Sequence, residues 1–451
     1  MAEGRPDLLA LAEQVAGWAG TGEEVEAYVA RSRATDVRAY DGQVEQLSSA
    51  ETEGVGIRVV AGGRQGFAYA GSLDEAVVRE TLAEARDNAA FGTVDEFLAL
   101  PVPDGVPAVA LDLYRPEMAT TPTEQKVALA LELERAVRAA DPRVRGVEEA
   151  DYGDEEREAA VASSTGVRAT WRRTACSLFA YAIAGEGDDT HTGFGVSVGR
   201  RPDDLDVGQV AADAALRATR LLGARQPRSR RLAVVLDPWV TAQFLGVLSA
   251  ALNGEAVLKG RSMFADRVGE VVAVPGVQLV DDPTVPEAFT ASPYDAEGLA
   301  SRRTALVEDG VLRGFLHNTY TGRRSGAGST ASAVRGGFKS TPGVGARALA
   351  LAPGHQSPEE LLALVGDGLY VQSVSGMHSG ANPVSGDFSV GAEGLLIRDG
   401  ALAEPVREVT VASTLPRMLK GVLAVGDDLQ WLPGAVAGLT LALADLTLSG
   451  T

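Results

Sequence analysis

"DPWVTAQFLGVLSAALNGEAVLKGR" (residues 237–261) reads as a buried helix with marked ends. Asp237 suits an N-cap, and Pro238 suits the first turn, where a missing N–H costs nothing. Val240, Phe244, Leu248 and Leu252 recur at i+4 and make one apolar ridge. Asn253-Gly254 is a stop signal at the far end. The helix carries no residue able to do chemistry. Gly246 and Ala250 are small enough to let a neighbour approach closely.

Around this helix the chain has 451 residues, too many for one ordinary core, so two or three domains are expected. An apolar content of 45% with 23% charged residues describes a globular protein rather than a disordered one. The net charge of −20 repels phosphate backbones and argues against nucleic-acid binding. The densest basic run, "RQPRSRR" (225–231), lies between a helix and a strand and reads as a solvated linker. Cys176 is the only cysteine, which excludes an intramolecular disulfide. The N-terminus lacks the basic and apolar regions of a signal peptide, and no apolar run reaches about 18 residues. A cytoplasmic protein that does not engage membranes is expected.

Three units are expected, at 1–97, 110–225 and 230–451. In the first, residues 6–19 read as a helix and 23–33, 43–51, 54–61 and 64–70 as strands, the last two joined by the turn "AGGR". Ser72 and Glu75 then stand in capping-box spacing at the start of a second helix. The proline-bearing stretch 98–109 reads as a linker. The second unit repeats the order helix–strands–helix, with strands at 145–151, 156–163, 166–173, 175–184 and 191–199, but without a residue-level repeat. The third is β-rich, with hairpin signals at Asp309-Gly310 and Asp399-Gly400. Its long polar stretch "YTGRRSGAGSTASAVRGGFKSTPGVGA" (320–346) reads as a mobile or substrate-facing loop.

The four histidines, His191, His317, His355 and His378, lack the local pairing that zinc sites use. His191 reads as a surface residue beside carboxylates and His317 as a packed core residue. There is no P-loop. The glycines of "GVGIRVVAGGRQG" (54–66) have strand-like residues on both sides rather than the strand–turn–helix context of a dinucleotide site. "SGMHSGANPVSGDFSVGAEG" (375–394) is the densest small, polar cluster. His378, Ser379 and Asn382, with Arg323 from the earlier loop, are the candidate substrate-binding residues.

"VEQLSSAETEGVGIRVVAGGRQGFAYA" near the N-terminus, and "NGEAVLKGRSMFADRVGE", "YDAEGLASRRTALVEDGVLRGFLHNTYTGRR" and "NPVSGDFSVGAEG" further on, resemble the TldD/PmbA family in order along nearly the whole chain. The resemblance implies an α+β multi-domain fold, with a mixed α/β N-terminal region and a β-rich C-terminal domain carrying the helix at 238–251. In such families a TldD-type subunit carries a helical HExxxH zinc motif and a late cysteine ligand. The PmbA (TldE) type has the same fold without them. If the helix is matched without gaps, Leu245, Gly246 and Ala250 fall at the first histidine, the glutamate and the second histidine, and a position near Gly438 at the cysteine. Ligands five apart lie about 140° from one another on an ideal α-helix, so such a motif needs a local wide turn.

The chain therefore resembles the PmbA-type subunit, holding no metal itself. Zinc and catalysis are expected in a TldD-like heterodimer partner acting on peptides or on amides, N-deacetylation included. Two alternatives stand beside this: a metal-independent small-molecule enzyme using His378, and a stand-alone homodimeric binding or scaffold protein.

Overall fold

The computed structural model describes residues 6–451. Helix α1 (Leu8–Ala16), capped by Asp7, leads into β1 (Glu23–Tyr40), β2 (Gln43–Ala61), β3 (Arg64–Ala70) and α2 (Glu75–Phe91). A short α3 (Pro116–Thr120) and α4 (Thr123–Ala140) precede β4 (Val144–Ser163), β5 (Arg168–Glu186), β6 (Asp189–Gly199) and α5 (Val207–Thr219). The strands are longer than the apolar alternation indicates: 43–51 and 54–61 are one strand, as are 145–151 with 156–163 and 166–173 with 175–184. Polar residues interrupt the pattern at these places. The ladder continues regardless, because β1 is paired on both sides, by β2 and β4.

All six strands form one antiparallel sheet in the order β3-β2-β1-β4-β5-β6, so the expected linker at 98–109 joins two halves of a single sheet. The repeat invisible at residue level is visible here: two helix–meander–helix units abut through their first strands. The last strand of each needs a glycine beneath its closing helix. A Cβ on Gly66 would lie 2.0 Å from Ala85 O of α2, and one on Gly195 2.0 Å from Val210 O of α5. Asp74, not Ser72, caps α2 by accepting from Ala76 N. Ser72 Oγ accepts from Asp74 N instead, so the Ser72–Glu75 box does not form.

The C-terminal part opens with β7 (Arg230–Leu236), α6 (Pro238–Ala251) and α7 (Gly254–Leu258). Asn253 does not merely stop α6. Its side chain accepts from Glu255 N and Ala256 N and so starts α7. There follow β8 (Leu279–Asp281), β9 (Thr304–Glu308), β10 (Val311–Leu312), α8 (Thr319–Ser325), β11 (Ala333–Val334), β12 (Gly343–Val344) and β13 (Leu349–Leu351). Helix α9 (Pro358–Val365), β14 (Gly368–Ser375), α10 (Met377–Gly380), β15 (Asp387–Arg398), β16 (Ala401–Thr414) and α11 (Leu415–Lys420) come next. Strands β17 (Val422–Val425), β18 (Gln430–Trp431), β19 (Ala437–Gly438) and β20 (Leu441–Ser449) end the chain.

The main sheet runs β16-β15-β14-β7-β20-β17, and β16 also pairs with β20, so five strands close into a ring. Both Asp-Gly hairpins form with positive φ at each central residue, as does an Asp41-Gly42 turn between β1 and β2. Among the described residues no helix is long and apolar enough to cross a membrane.

The 320–346 stretch is not a mobile loop. It contains α8, β11 and β12, and its Phe338 is buried with Tyr28, Ala159 and Val161 of the N-terminal sheet. Glycines and hydroxyls made it look solvated. Their small size is what lets the segment lie flat on the sheet.

Four charged side chains are buried at this junction. Glu26 on β1 stands directly opposite Arg58 on β2. Arg58 Nη2 donates to Glu26 Oε2 at 2.6 Å and to Glu297 Oε1 at 3.2 Å, while Arg335 Nη2 donates to Glu26 Oε1 at 2.7 Å. Thr319 N, at the start of α8, donates to Glu297 Oε2 at 2.8 Å. Burial acts to raise the Glu26 carboxyl, but Arg58 and Arg335 outweigh it and hold it below the ordinary carboxylate range. Glu26→Ala would leave two guanidinium groups buried without their shared anion. The expected loss, read from urea unfolding, is about 3–5 kcal/mol, more than for truncation of the exposed Glu75–Arg79 pair.

Asp295 is fully buried and accepts from Glu297 N, Leu299 N and Ala333 N. Burial, and then the neighbouring Glu297, push its carboxyl up to about 7. A carboxyl raised on folding stabilises below its unfolded value, and that contribution is lost as pH rises through the folded value. Wild-type stability should therefore fall relative to Asp295→Asn between about pH 4 and pH 7. Urea midpoints of the two proteins that stay parallel across this range would refute the shift.

Candidate functional site

Helix α6 has two unlike sides. Val240, Thr241, Phe244, Leu245, Leu248, Ala251 and Leu252 are buried, most of them in one core with residues of the strand ring. The Phe244 ring meets Phe388 of β15 edge-on at 6.3 Å. Trp239, Gln243, Gly246 and Ala250 form the opposite, open stripe; Gln243 and Ala250 are exposed and the other two half-buried. Leu245 is fully buried, and a Cβ on Gly246 would meet nothing within 4 Å. The expectation that Gly246 and Ala250 admit a close neighbour is therefore corrected, because both face open space.

Of the three positions matched to the zinc motif, Leu245 points away from Gly246 and Ala250, which share one face, as about 100° per residue requires on a helix that is α-helical over its whole length. They offer an isobutyl group, a hydrogen atom and a methyl group, and none of these carries a lone pair for zinc. Gly438 lies directly beneath the helix start, where a Cβ would come within 2.1 Å of Pro238 O. A cysteine does not fit there without movement. Among the described residues no group of three His, Cys, Asp or Glu side chains could hold a metal ion. The residues present do not fit zinc.

The segment 375–387 borders the same region. Met263 N donates to Pro383 O and Ser262 Oγ to Ala251 O, so the chain after α7 ties this segment to the end of α6. His378, Ser379 and Asn382 are all exposed. Ser379 Oγ donates to Gly376 O, and Asn382 Oδ1 accepts from Val384 N and Ser385 N, an Asx turn that leaves only its amide nitrogen for a ligand. His378 has no intramolecular hydrogen bond among the described residues, so no base–nucleophile pair is assembled here. The structure brings these three together. Arg323 is exposed on α8 and, among the described residues, shares no hydrogen bond or ion pair with them. His317 is buried as expected, with Nδ1 3.2 Å from Thr321 Oγ1. His191 is not at the surface: it is buried on β6, 3.3 Å from Asp189 Oδ1.

A cleft of about 470 Å³ opens at the N-terminal end of the α6 stripe, walled by α5 and β6 on one side and by Trp239, Tyr370 and Gln430 on the other. Phe194 and Trp239 meet edge-to-face at 5.0 Å. Asp237 sits at its base but is saturated. It accepts from Trp239 N, twice from Arg217 Nη2 (3.0 and 2.8 Å) and from Tyr370 OH (2.6 Å). It acts as helix cap and domain tie rather than as a base. The sequence marks Asp237 as a cap but gives no sign of Arg217 and Tyr370, which come from distant elements. Burial pushes the Cys176 thiol up to about 12, which removes it from nucleophilic chemistry.

The site geometry sets an asymmetric expectation. Leu245→His should cost about 2–4 kcal/mol through lost packing and a buried imidazole, whereas Gly246→Glu should be neutral or gain about 0.5 kcal/mol from helix propensity. Thermal melts of the two single variants check this, and equal losses would contradict the orientation of α6.

Comparison with known proteins agrees with this architecture. Family models match in sequence: PmbA/TldA metallopeptidase domain 1 at residues 25–89, the central domain at 117–222 and the C-terminal domain at 229–450. The chain is 26% identical to the metalloprotease PmbA of Escherichia coli O157:H7 over 96% of its own length and 93% of that protein. It is 25% identical to a TldD homologue of Haemophilus influenzae over 91% and 89%. A crystal structure from Thermotoga maritima, described as that of a candidate modulator of a DNA gyrase, superposes with a TM-score of 0.87 at 26% identity, covering 98% of each chain. TldE from Thermococcus kodakarensis has the same fold, with a TM-score of 0.87 at 21% identity over 98% and 99% of the two chains.

Proposed function

The chain belongs to the PmbA/TldD metallopeptidase family, and we propose that it serves there as the metal-free subunit of a TldD/TldE-type pair. The observation that carries this reading is α6: at the positions matched to the zinc motif it has Leu245, turned into the core, and Gly246 and Ala250, which cannot ligate. The helix packs, and the chemistry is left to an HExxxH-bearing partner that acts on peptide or other amide bonds, N-deacetylation among them. This chain's own contribution is to bind and orient substrate and to limit access, which lowers the barrier by positioning. The open stripe of α6, the 470 Å³ cleft and the 375–387 segment are the surfaces available for that work.

Co-expression with an HExxxH homologue tests the reading. The expected outcome is a one-to-one heterodimer with about one zinc per pair and chelator-sensitive hydrolysis, neither partner being active alone. In that complex His378→Ala should lower turnover without loosening assembly. Tightly bound zinc or peptidase activity in this chain alone would overturn the proposal, as would activity gained by Leu245→His, Gly246→Glu and Ala250→His together.

A further inference from the structure

A second cleft, of about 430 Å³, lies between the face of the N-terminal sheet and the Gly336–Ser340 segment that follows β11. Arg31, Arg157 and Lys339 line it, with Glu155 the only carboxylate on its wall among the described residues. Nearby acids are already engaged: Glu155 lies 3.6 Å from Arg173, and Glu158 lies 3.8 Å from Arg31. Neither Arg157 nor Lys339 has an ion-pair partner among the described residues. Arg157 is half-buried, reaching only Tyr28 OH at 3.4 Å. Arg31 Nε is buried without a hydrogen-bond partner. Arg31 is partly engaged, by Glu158 and by Pro6 O, which accepts from its Nη2, whereas the Arg157 guanidinium is partly desolvated with no carboxylate at ion-pair distance, an arrangement that is costly unless an anion meets it. In a chain of net charge −20, such a local excess of positive charge selects a small anion and rejects a polyanion.

The shape argues for more than a free ion. The volume far exceeds what one carboxylate or phosphate fills. The remaining wall is apolar at Ala30 and Phe338 and hydroxyl-bearing at Ser32 and Thr52, whose side-chain oxygens lie 2.8 Å apart. Gly336 and Gly337 let backbone approach a ligand without a Cβ in the way. We propose that this cleft captures the C-terminal carboxylate of a peptide, with Arg157 as the bidentate partner, Arg31 and Lys339 flanking it, and the adjoining residue resting on Ala30 and Phe338. The choice of a peptide rests on the subunit reading above. The site itself is built from this chain alone, so the two can fail separately.

Isothermal titration of the purified full chain with tetra-alanine, with the same peptide C-terminally amidated, and with inorganic phosphate tests the assignment. The free-acid peptide is expected to bind at least about tenfold more tightly than the amide, and phosphate to compete only weakly. Arg157→Gln should weaken the free-acid peptide about tenfold, with Arg157→Lys intermediate. Lys339→Gln, a change at an exposed position that leaves packing untouched, should weaken it several-fold and flatten the salt dependence. Equal binding of acid and amide, absence of peptide binding, or affinity unmoved by both the Arg157→Gln and Lys339→Gln changes would overturn the proposal. Tight phosphate binding without peptide binding would also overturn it, assigning the cleft to a free anion. Any of these results would leave heterodimer formation with an HExxxH partner to stand on its own measurement.

Discussion

The contact on which the domain arrangement depends is the Glu26 carboxylate held between Arg58 and Arg335. Arg58 is its cross-strand neighbour, fixed by the register of β1 on β2, whereas Arg335 arrives from a segment 309 residues further along the chain. Glu297 extends the chain of charges to the first turn of α8. None of these groups could stay buried alone, because each needs the next to offset its desolvation. The pairing adds little net stability over an apolar contact of the same size. It does dictate one docking of the C-terminal segment, since a shifted arrangement would strand a charge. The Arg335 guanidinium also lies over the Tyr28 ring at 4.5 Å, so one side chain serves both the ionic and the aromatic part of the junction.

Docking of this kind makes the two clefts. The sheet face alone is a twisted surface, and the 320–346 stretch alone is a polar ribbon. Laid together with Phe338 as the anchor, they leave a basic recess beside it. The cleft at the start of α6 arises in the same way. There the saturated Asp237 joins α5, β14 and the helix start, and the aromatic pair Phe194–Trp239 closes one wall.

Much of the local structure is written in short-range pattern. The i+4 ridge and the Asp237-Pro238 start of α6 hold residue for residue, as do the Asp-Gly hairpins at 309–310 and 399–400. Strand lengths are misread wherever polar residues fall inside a paired strand, because ladder hydrogen bonds, from β1 at Thr52 and from both β1 and β5 at Asp154, override the side-chain alternation. Ser72 loses its cap role to Asp74, whose carboxylate lies two residues before the N–H it caps. The mobile-loop reading of 320–346 fails because small residues suit both a solvated loop and close packing on a sheet, and only the partner surface distinguishes the two.

For the candidate site, the sequence by itself determined the chemistry that α6 carries. No arrangement of Leu245, Gly246 and Ala250 can bind a metal, since ligation needs lone pairs and these residues have none. It also brought out His378, Ser379 and Asn382, which share one short segment and so are near neighbours by chain connectivity. Only the tertiary structure decided that Leu245 turns inward while Gly246 and Ala250 face out, because burial of α6 depends on a strand ring closed between β16 and β20. Only it brought Arg31, Arg157 and Lys339 around one recess. Residues separated by more than a hundred positions meet through sheet register and domain docking, and local sequence pattern carries no record of either.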